Sequence, residues 1–213
     1  MIYTVGGIKG GSGKTTVATN LAVWLARTSD VLLVDADEQE TATDFTAWRE
    51  ETLKGEVGYT SIKLTGENVR REIVKLKSKF DHIVIDTGGR DTTSQRAAIF
   101  VSDVLLLPFN PRSFDIWTVV KLQKLLAEIR SIRPEELKAY SFLNRADVRG
   151  SDNNDAGDAL AQVEGIDFVD ANLGNRKAFS NAAGRGLSVI ELNPADEKAT
   201  HEIKTLFGQI VKD

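Results

Sequence analysis

A run of glycines between an apolar strand and an amphipathic helix constrains this chain more than any other feature. Residues 5 to 16 read VGGIKGGSGKTT, with apolar residues before them and VATNLAVWLAR after them. Glycines in such a turn let backbone N–H groups converge on an anion, and the helix that follows adds the positive end of its dipole. In this reading Gly10, Gly11, Ser12 and Gly13 cradle phosphate oxygens and Lys14 bridges the β- and γ-phosphates. The Thr15 hydroxyl ligates Mg²⁺, and Thr16 reaches the α-phosphate. The alternative is a glycine-rich turn that only starts a helix. It leaves the Lys-Thr-Thr that follows without a reason. The strict spacing G-x-x-x-x-G-K-[ST] nevertheless fails at Ile8, and a second lysine, Lys9, sits inside the turn.

The rest of the chain must accommodate that loop. Short β-branched apolar runs alternate with longer segments of helical period, which is the pattern of an α/β fold with a mainly parallel, twisted sheet flanked by helices. Expected strands are Ile2–Gly6, Val31–Asp35, Thr60–Leu64, His82–Asp86, Val104–Leu107, Ala139–Asn144 and a shorter Asp167–Val169. Expected helices are Lys14–Arg27, Thr41–Leu53, Glu67–Lys79, Thr92–Val101, one within Ser113–Ile132, Asp152–Val163, Arg176–Ala183 and Ala195–Val211. VLLVDAD, HIVIDTG and VLLLPF are continuously apolar before a polar end, as strands buried on both faces are. With 213 residues and no composition shift, residues 1–213 read as one domain. Ligands of such sheets bind outside the carboxyl ends of the strands. Asp35, Asp86, Pro108 and Asn144 all fall there, from four different strands.

Two of these ends carry carboxylates suited to phosphoryl transfer. VLLVDADEQ places Asp35 and Asp37 on the same side of an extended segment. One can stay near the Mg²⁺ shell while the other orients a water in line with the γ-phosphate. FDHIVIDTGG ends on Asp86, placed to hold Mg²⁺, before the pliant Gly88 and Gly89. A single aspartate after a strand is ordinarily a turn former or helix cap; two such ends beside a phosphate loop favour the site. FLNRAD ends a strand on Asn144, whose amide can both donate to and accept from a purine. The same run is similar to the N-K-x-D guanine signature, with Arg145 for lysine and Asp147 as reader. The residues alone leave adenine and guanine both open.

Composition removes other classes. The absence of cysteine excludes disulfides and thiolate-held metals or iron–sulfur clusters. The apolar runs are too short to span a bilayer and no signal peptide precedes the first strand, which points to the cytoplasm. A net charge of −4 gives no global attraction to nucleic acid, so any DNA affinity must be local. The helix expected at Glu67–Lys79 puts Val69, Ile73, Leu76 and Phe80 on one stripe, leaving a basic face that reads as solvated surface.

KGGSGKTT with its early lysine, VLLVDADEQ, DHIVIDTGG and LNRAD together resemble the deviant Walker A ATPases of the ParA/MinD family. The match is ordered along nearly the whole chain. LPFNPRSFDIWTV and NRKAFSNAAGRGLSVIEL further resemble the ParA-type partition branch. The resemblance implies ATP and Mg²⁺ as cofactors and an ATP-sandwich homodimer in which Lys9 contacts phosphates bound by the other subunit. It also implies Lys14 as the cis lysine, Thr15 as Mg²⁺ ligand, Asp37 as the water-positioning carboxylate and Asp86 as the Walker-B residue. Asp35 falls behind the Mg²⁺ shell and Asn144 faces adenine, favouring ATP. The chain departs from the pattern at Ile8, a position that varies in the family, and at Glu38 and Gly89, where proline is usual.

The function implied is a slow, partner-stimulated ATPase that dimerises on ATP, binds DNA non-specifically and positions cargo, with plasmid segregation first. Carboxysomes or chemoreceptor clusters are alternative cargoes. The partners implied are a second copy, DNA, and a centromere-binding or adaptor protein, and the location is the nucleoid. The chain begins at the first strand, so no N-terminal helix-turn-helix is expected. Candidate DNA contacts are Arg176, Lys177, Arg185, Lys198 and Lys204, which read equally as solvated surface. A MinD-like membrane switch is the other alternative. The tail HEIKTLFGQIVKD has Ile203, Leu206, Phe207, Ile210 and Val211 on one face, but few lysines and a terminal Asp213. Packing against the sheet is therefore expected over membrane insertion.

Overall fold

The apolar runs become the middle of one parallel sheet. The computed structural model describes residues 1–147 and 151–211. The strands are β1 (Ile2–Val5), β2 (Val31–Ala36), β3 (Thr60–Lys63), β4 (His82–Thr87), β5 (Val104–Phe109), β6 (Lys138–Ala146), β7 (Asp167–Phe168) and β8 (Leu173–Gly174). Their order is β3-β2-β4-β1-β5-β6-β7, with β8 also on β6, and every pairing is parallel. β1, β2 and β5 are buried along almost their whole length, as strands covered on both faces must be. From β1 the chain crosses to β2 on one side, and later from β4 to β5 on the other. The topology therefore reverses at β1, and its carboxyl end runs into the glycine loop.

The helices are α1 (Lys14–Leu25), α2 (Thr41–Thr52), α3 (Asn68–Leu76), α4 (Thr93–Val101), α5 (Ile116–Ile132), α6 (Ser151–Ala161), α7 (Lys177–Ala183) and α8 (Glu197–Ile210). Tyr3, Val5, Leu33 and Val84 meet α1 and α8 on one face of the sheet. Ile2, Leu32, Val34, Ile83 and Ile85 meet α3 and α4 on the other. On α8, Ile203, Leu206 and Phe207 are fully buried and Ile210 nearly so. Each such side chain contributes about 1.5–3 kcal/mol relative to an exposed one. The tail thus packs against the sheet as expected; Lys212 and Asp213 lie outside the described residues. No helix among the described residues is long and apolar enough to cross a membrane.

Boundaries move where capping decides them. α5 lies within the expected span and starts at Ile116, because Asp115 accepts the Trp117 N–H at 2.9 Å and Pro111–Ser113 forms a separate 3₁₀ turn. Thr92 is the N-cap of α4 rather than its first residue. β5 runs on through Pro108 because its pairing with β1 ends at Leu106, so the missing N–H costs no ladder bond there. β8 carries no apolar run that would mark it in the sequence. It is two residues long and joins β6 beyond an irregularity between Asn144 and Ala146, where Arg145 takes a φ of 60°. α3 is shorter than expected, though Val69 and Ile73 are buried. Its basic face is surface: Arg71 and Lys75 bond Glu72, and Arg70 lies over Phe100.

Candidate functional site

The loop between β1 and α1 is held from behind by apolar contact. Ile8, the residue that breaks the strict spacing, packs on the cluster containing Leu105, Leu107 and Leu122. Beyond it, Gly11 and Gly13 adopt φ values of 76° and 87°, a region closed to most side chains. At Gly13 even a methyl group would collide with the Asn144 amide. The loop then opens α1, whose first residue, Lys14, is only 6% exposed.

A polar cavity of about 590 Å³ lies over this turn, within the usual range for small-molecule sites. Its walls bring together Gly10, Gly11, Gly13, Lys14, Thr15 and Thr16 with Asp37, Gly88, Gly89 and Arg145. Lys14 Nζ donates to the Lys9 carbonyl at 3.0 Å. Burial lowers the Lys14 pKa, while Asp86 and Asp37 work against that shift. Asp86 is fully buried at the end of β4, and neither of its oxygens has a well-formed hydrogen bond. Burial pushes its pKa up to about 7; the Thr15 hydroxyl partly offsets this and Asp35 adds to it. An orphaned carboxylate beside a threonine hydroxyl fits a hydrated Mg²⁺, and the glycine nest with Lys14 fits phosphate. Groups of three or more His, Cys, Asp or Glu able to hold a metal are absent among the described residues. Oxygen donors from Asp86 and Thr15 therefore leave the remaining positions to water and phosphate.

Asp35 has a different task from the one its spacing suggests. Its Oδ2 accepts the Thr43 N–H and hydroxyl, both at 2.8 Å, and its Oδ1 accepts the Asp37 N–H at 3.1 Å. The carboxylate thus holds the start of α2 and the Asp37 turn, and is a positioning residue rather than a metal ligand. Asp37 itself faces the cavity, its Oδ1 about 3.0 Å from where a Cβ on Gly88 would stand. Gly89 has no room for a side chain, because a Cβ there would lie 2.7 Å from the Gly10 backbone. That close approach explains the glycine where proline was expected.

Asn144 anchors the phosphate loop while also lining the cavity on the base side. Its Nδ2 donates to the Ser12 carbonyl at 2.7 Å and its Oδ1 accepts the Arg145 N–H at 3.0 Å. Asp147, the would-be guanine reader, is paired in bidentate fashion with Arg112. With Asn144, the cavity next to the loop on this side is lined by Thr16, Arg145, Asn175, Arg176 and Phe179. Asn175 and Phe179 carry no signal in the sequence; Arg145, read there only as the lysine position of a guanine signature, takes a positive φ. Gln95 was missed too. It is fully buried, and with its amide oriented to satisfy its neighbours it donates to Gly7 O at 3.0 Å and Gly88 O at 3.1 Å.

Lys9 does not line the phosphate cavity. It lines a neighbouring cleft with Ile8, Phe109, Asp115 and Thr118. Two of the candidate DNA contacts border different cavities. Lys177, Arg185, Lys198 and Lys204 are exposed, but Lys177 borders the base-side cavity and Lys204 a separate groove with Arg27. Arg176 is a correction: it is locked to Glu202 at 2.6 Å, and Glu202 also accepts the Gly174 N–H. Its guanidinium ties β8 to α8.

A family model for the CobQ/CobB/MinD/ParA nucleotide binding domain matches residues 3–189. The chain belongs to that family. Within it, the chain is 25% identical over 210 residues to maintenance of carboxysome distribution protein A of Halothiobacillus neapolitanus, covering 97% of this chain and 94% of that protein. A protein of the same name from Gloeobacter kilaueensis is 29% identical over 184 residues, covering 86% and 81%. Among solved structures, apo McdA from Cyanothece superposes with a TM-score of 0.83 at 17% identity, covering 99% of both chains. That likeness establishes the fold: a parallel-sheet P-loop nucleotide-binding domain.

Proposed function

We propose that this chain is an ATP-hydrolysing switch that pairs with a second copy of itself on binding ATP and positions a protein assembly over DNA. The observation that carries the proposal is the division of the two loop lysines between two cavities. Lys14 lines the phosphate cavity, whereas Lys9, five residues earlier on the same loop, lines the neighbouring cleft. A lysine excluded from its own phosphate cavity is suited to a partner's nucleotide.

In this reading the glycine nest and Lys14 bind the phosphates, with Lys14 exchanging the Lys9 carbonyl for phosphate oxygens. Thr15 and Asp86 hold Mg²⁺, which neutralises phosphate charge when bound. Asp37 orients the attacking water, and Asp35 holds Asp37 in place. Arg145, Asn175 and Phe179 border the space for the base. The two carboxysome-distribution relatives move the favoured cargo from a plasmid to a protein assembly, with carboxysomes the first to test. Lys177, Arg185, Lys198 and Lys204 are the proposed DNA contacts, binding phosphates without reading sequence.

The test is the mass of the protein in solution with ADP or ATP, measured for wild type, Lys9→Ala and Asp37→Ala. DNA binding over a salt series accompanies it. An ATP-dependent dimer that is lost in Lys9→Ala and persists in Asp37→Ala is the expected result. A wild-type monomer in ATP, or a dimer indifferent to Lys9, overturns the proposal.

A further inference from the structure

Large exposed apolar side chains gather at the first turns of α5. Ile116, Trp117 and Val120 are 50%, 73% and 37% exposed. Trp117, Val120, Lys121 and Lys124 succeed one another at spacings of three and four, or one within a pair, and so form a single stripe. Beside the stripe lies a groove of about 420 Å³ whose walls include Ile8, Arg90, Thr118, Lys121 and Lys124. The two acids of the groove, Asp91 and Glu128, are both bonded to Arg96, at 2.7 and 2.9 Å. No ion pair to Arg90, Lys121 or Lys124 forms among the described residues, and all three are exposed. The groove therefore presents uncompensated positive charge next to an aromatic and two aliphatic side chains. Single apolar residues on a surface need no explanation, but a tryptophan in such a cluster marks an interaction site.

We propose that this groove and the Trp117 stripe dock a protein partner through an acidic segment that carries an aromatic or aliphatic anchor. Charge complementarity selects the acidic segment, and the apolar cluster selects a peptide over a nucleic acid. DNA would satisfy the lysines but leave Ile116, Trp117 and Val120 in water. The position also connects the groove to the phosphate loop. Ile8 belongs to that loop, and Arg90 follows Gly89, whose backbone lies against Gly10. A segment seated in the groove touches both loops that frame the phosphate cavity. Coupling of docking to hydrolysis rests on the ATP-switch reading; docking itself does not.

The experiment selects a random-peptide display library on the intact chain, in ADP and in ATP, and measures enriched peptides by fluorescence anisotropy. Wild type, Trp117→Ala and the double variant Lys121→Glu/Lys124→Glu are compared, with a DNA duplex as a second probe. Enriched peptides are expected to be net negative with an aromatic or leucine anchor. Each variant should weaken them by about tenfold or more, while circular dichroism and nucleotide affinity stay at wild-type values. Neutral or basic peptides, or peptides that bind both variants as they bind wild type, overturn the proposal. So does loss of DNA binding in the lysine variant without any peptide enrichment, which would make the groove a nucleic-acid surface. Peptide binding by a chain that fails to dimerise in ATP would leave the docking site standing and remove the switch. ATP-dependent dimerisation without peptide enrichment would do the reverse.

Discussion

Replacing Asn144 by alanine separates two roles that its sequence position leaves open. In the structure its Nδ2 donates to the Ser12 carbonyl at 2.7 Å, and Asn144 and Ser12 are 5% and 7% exposed. Removing the amide leaves a buried carbonyl without its donor, at a cost of about 1–3 kcal/mol. For a chain of this size that corresponds to a fall in Tm of about 2–4 °C per kcal/mol. The loss appears without any nucleotide, because the bond is made within the protein itself. Nucleotide affinity falls as well, since the turn at Gly13 must be re-formed by the ligand, but ATP and GTP lose it equally. Urea unfolding of the apo-protein and competition between the two nucleotides read the two effects separately. Unchanged apo stability with an altered ATP-to-GTP preference would refute the loop-anchoring role and return Asn144 to the base.

Gly89→Ala should displace the Gly10 backbone, which a new Cβ would meet at 2.7 Å, and lower nucleotide affinity more than stability; calorimetric titration with ATP checks this. Arg49 bonds Glu191 at 2.7 Å through both terminal nitrogens, and also the Val57 and Gly186 carbonyls. Arg49→Ala, which strands that network, should cost about 3–5 kcal/mol in urea unfolding, and Glu191→Gln less. Asp37→Ala should bind ATP with near wild-type affinity and lose hydrolysis, seen as phosphate release in single turnover. Gln95→Leu should leave the Gly7 and Gly88 carbonyls without their shared donor, costing about 1–3 kcal/mol in thermal unfolding.

The sheet was legible in the sequence because its strands are buried on both faces. VLLVDAD, HIVIDTG and VLLLPF leave no ambiguity of period, and their polar ends marked the site side. What was not legible is local and depends on contacts distant in sequence. β8 has two residues and exists because β6 continues past Arg145. The loop-anchoring bond of Asn144 is made to Ser12, 132 positions away. Asp35 looked like half of a carboxylate pair, yet the Thr43 hydroxyl and N–H claim it once α2 folds back. Arg176 read as a free cation until α8 delivered Glu202. In each case residue type was read correctly, and the partner that fixed its task came from another element.

The irregular loop spacing is the consequence of a choice between a turn that faces one nucleotide and a turn that faces two ways. A glycine at position 8 would leave the loop free to fold entirely over its own phosphates. Isoleucine cannot, because its side chain is partly buried in the cluster of Leu105, Leu107 and Leu122, under α5. Pinning the chain there sets Lys9 on the α5 side of the loop and lets Gly10 and Gly11 turn the backbone toward the phosphate cavity. The Lys14–Lys9 hydrogen bond spans that turn, so capture of phosphate by Lys14 would release the Lys9 carbonyl. Ile8→Gly should therefore keep phosphate binding while loosening the placement of Lys9. The expected result is ATP affinity within about threefold of wild type, below half a factor-of-ten step in free energy, with weaker ATP-dependent pairing in sedimentation. Equal pairing by Ile8→Gly and wild type would show that the apolar anchor has no part in directing Lys9.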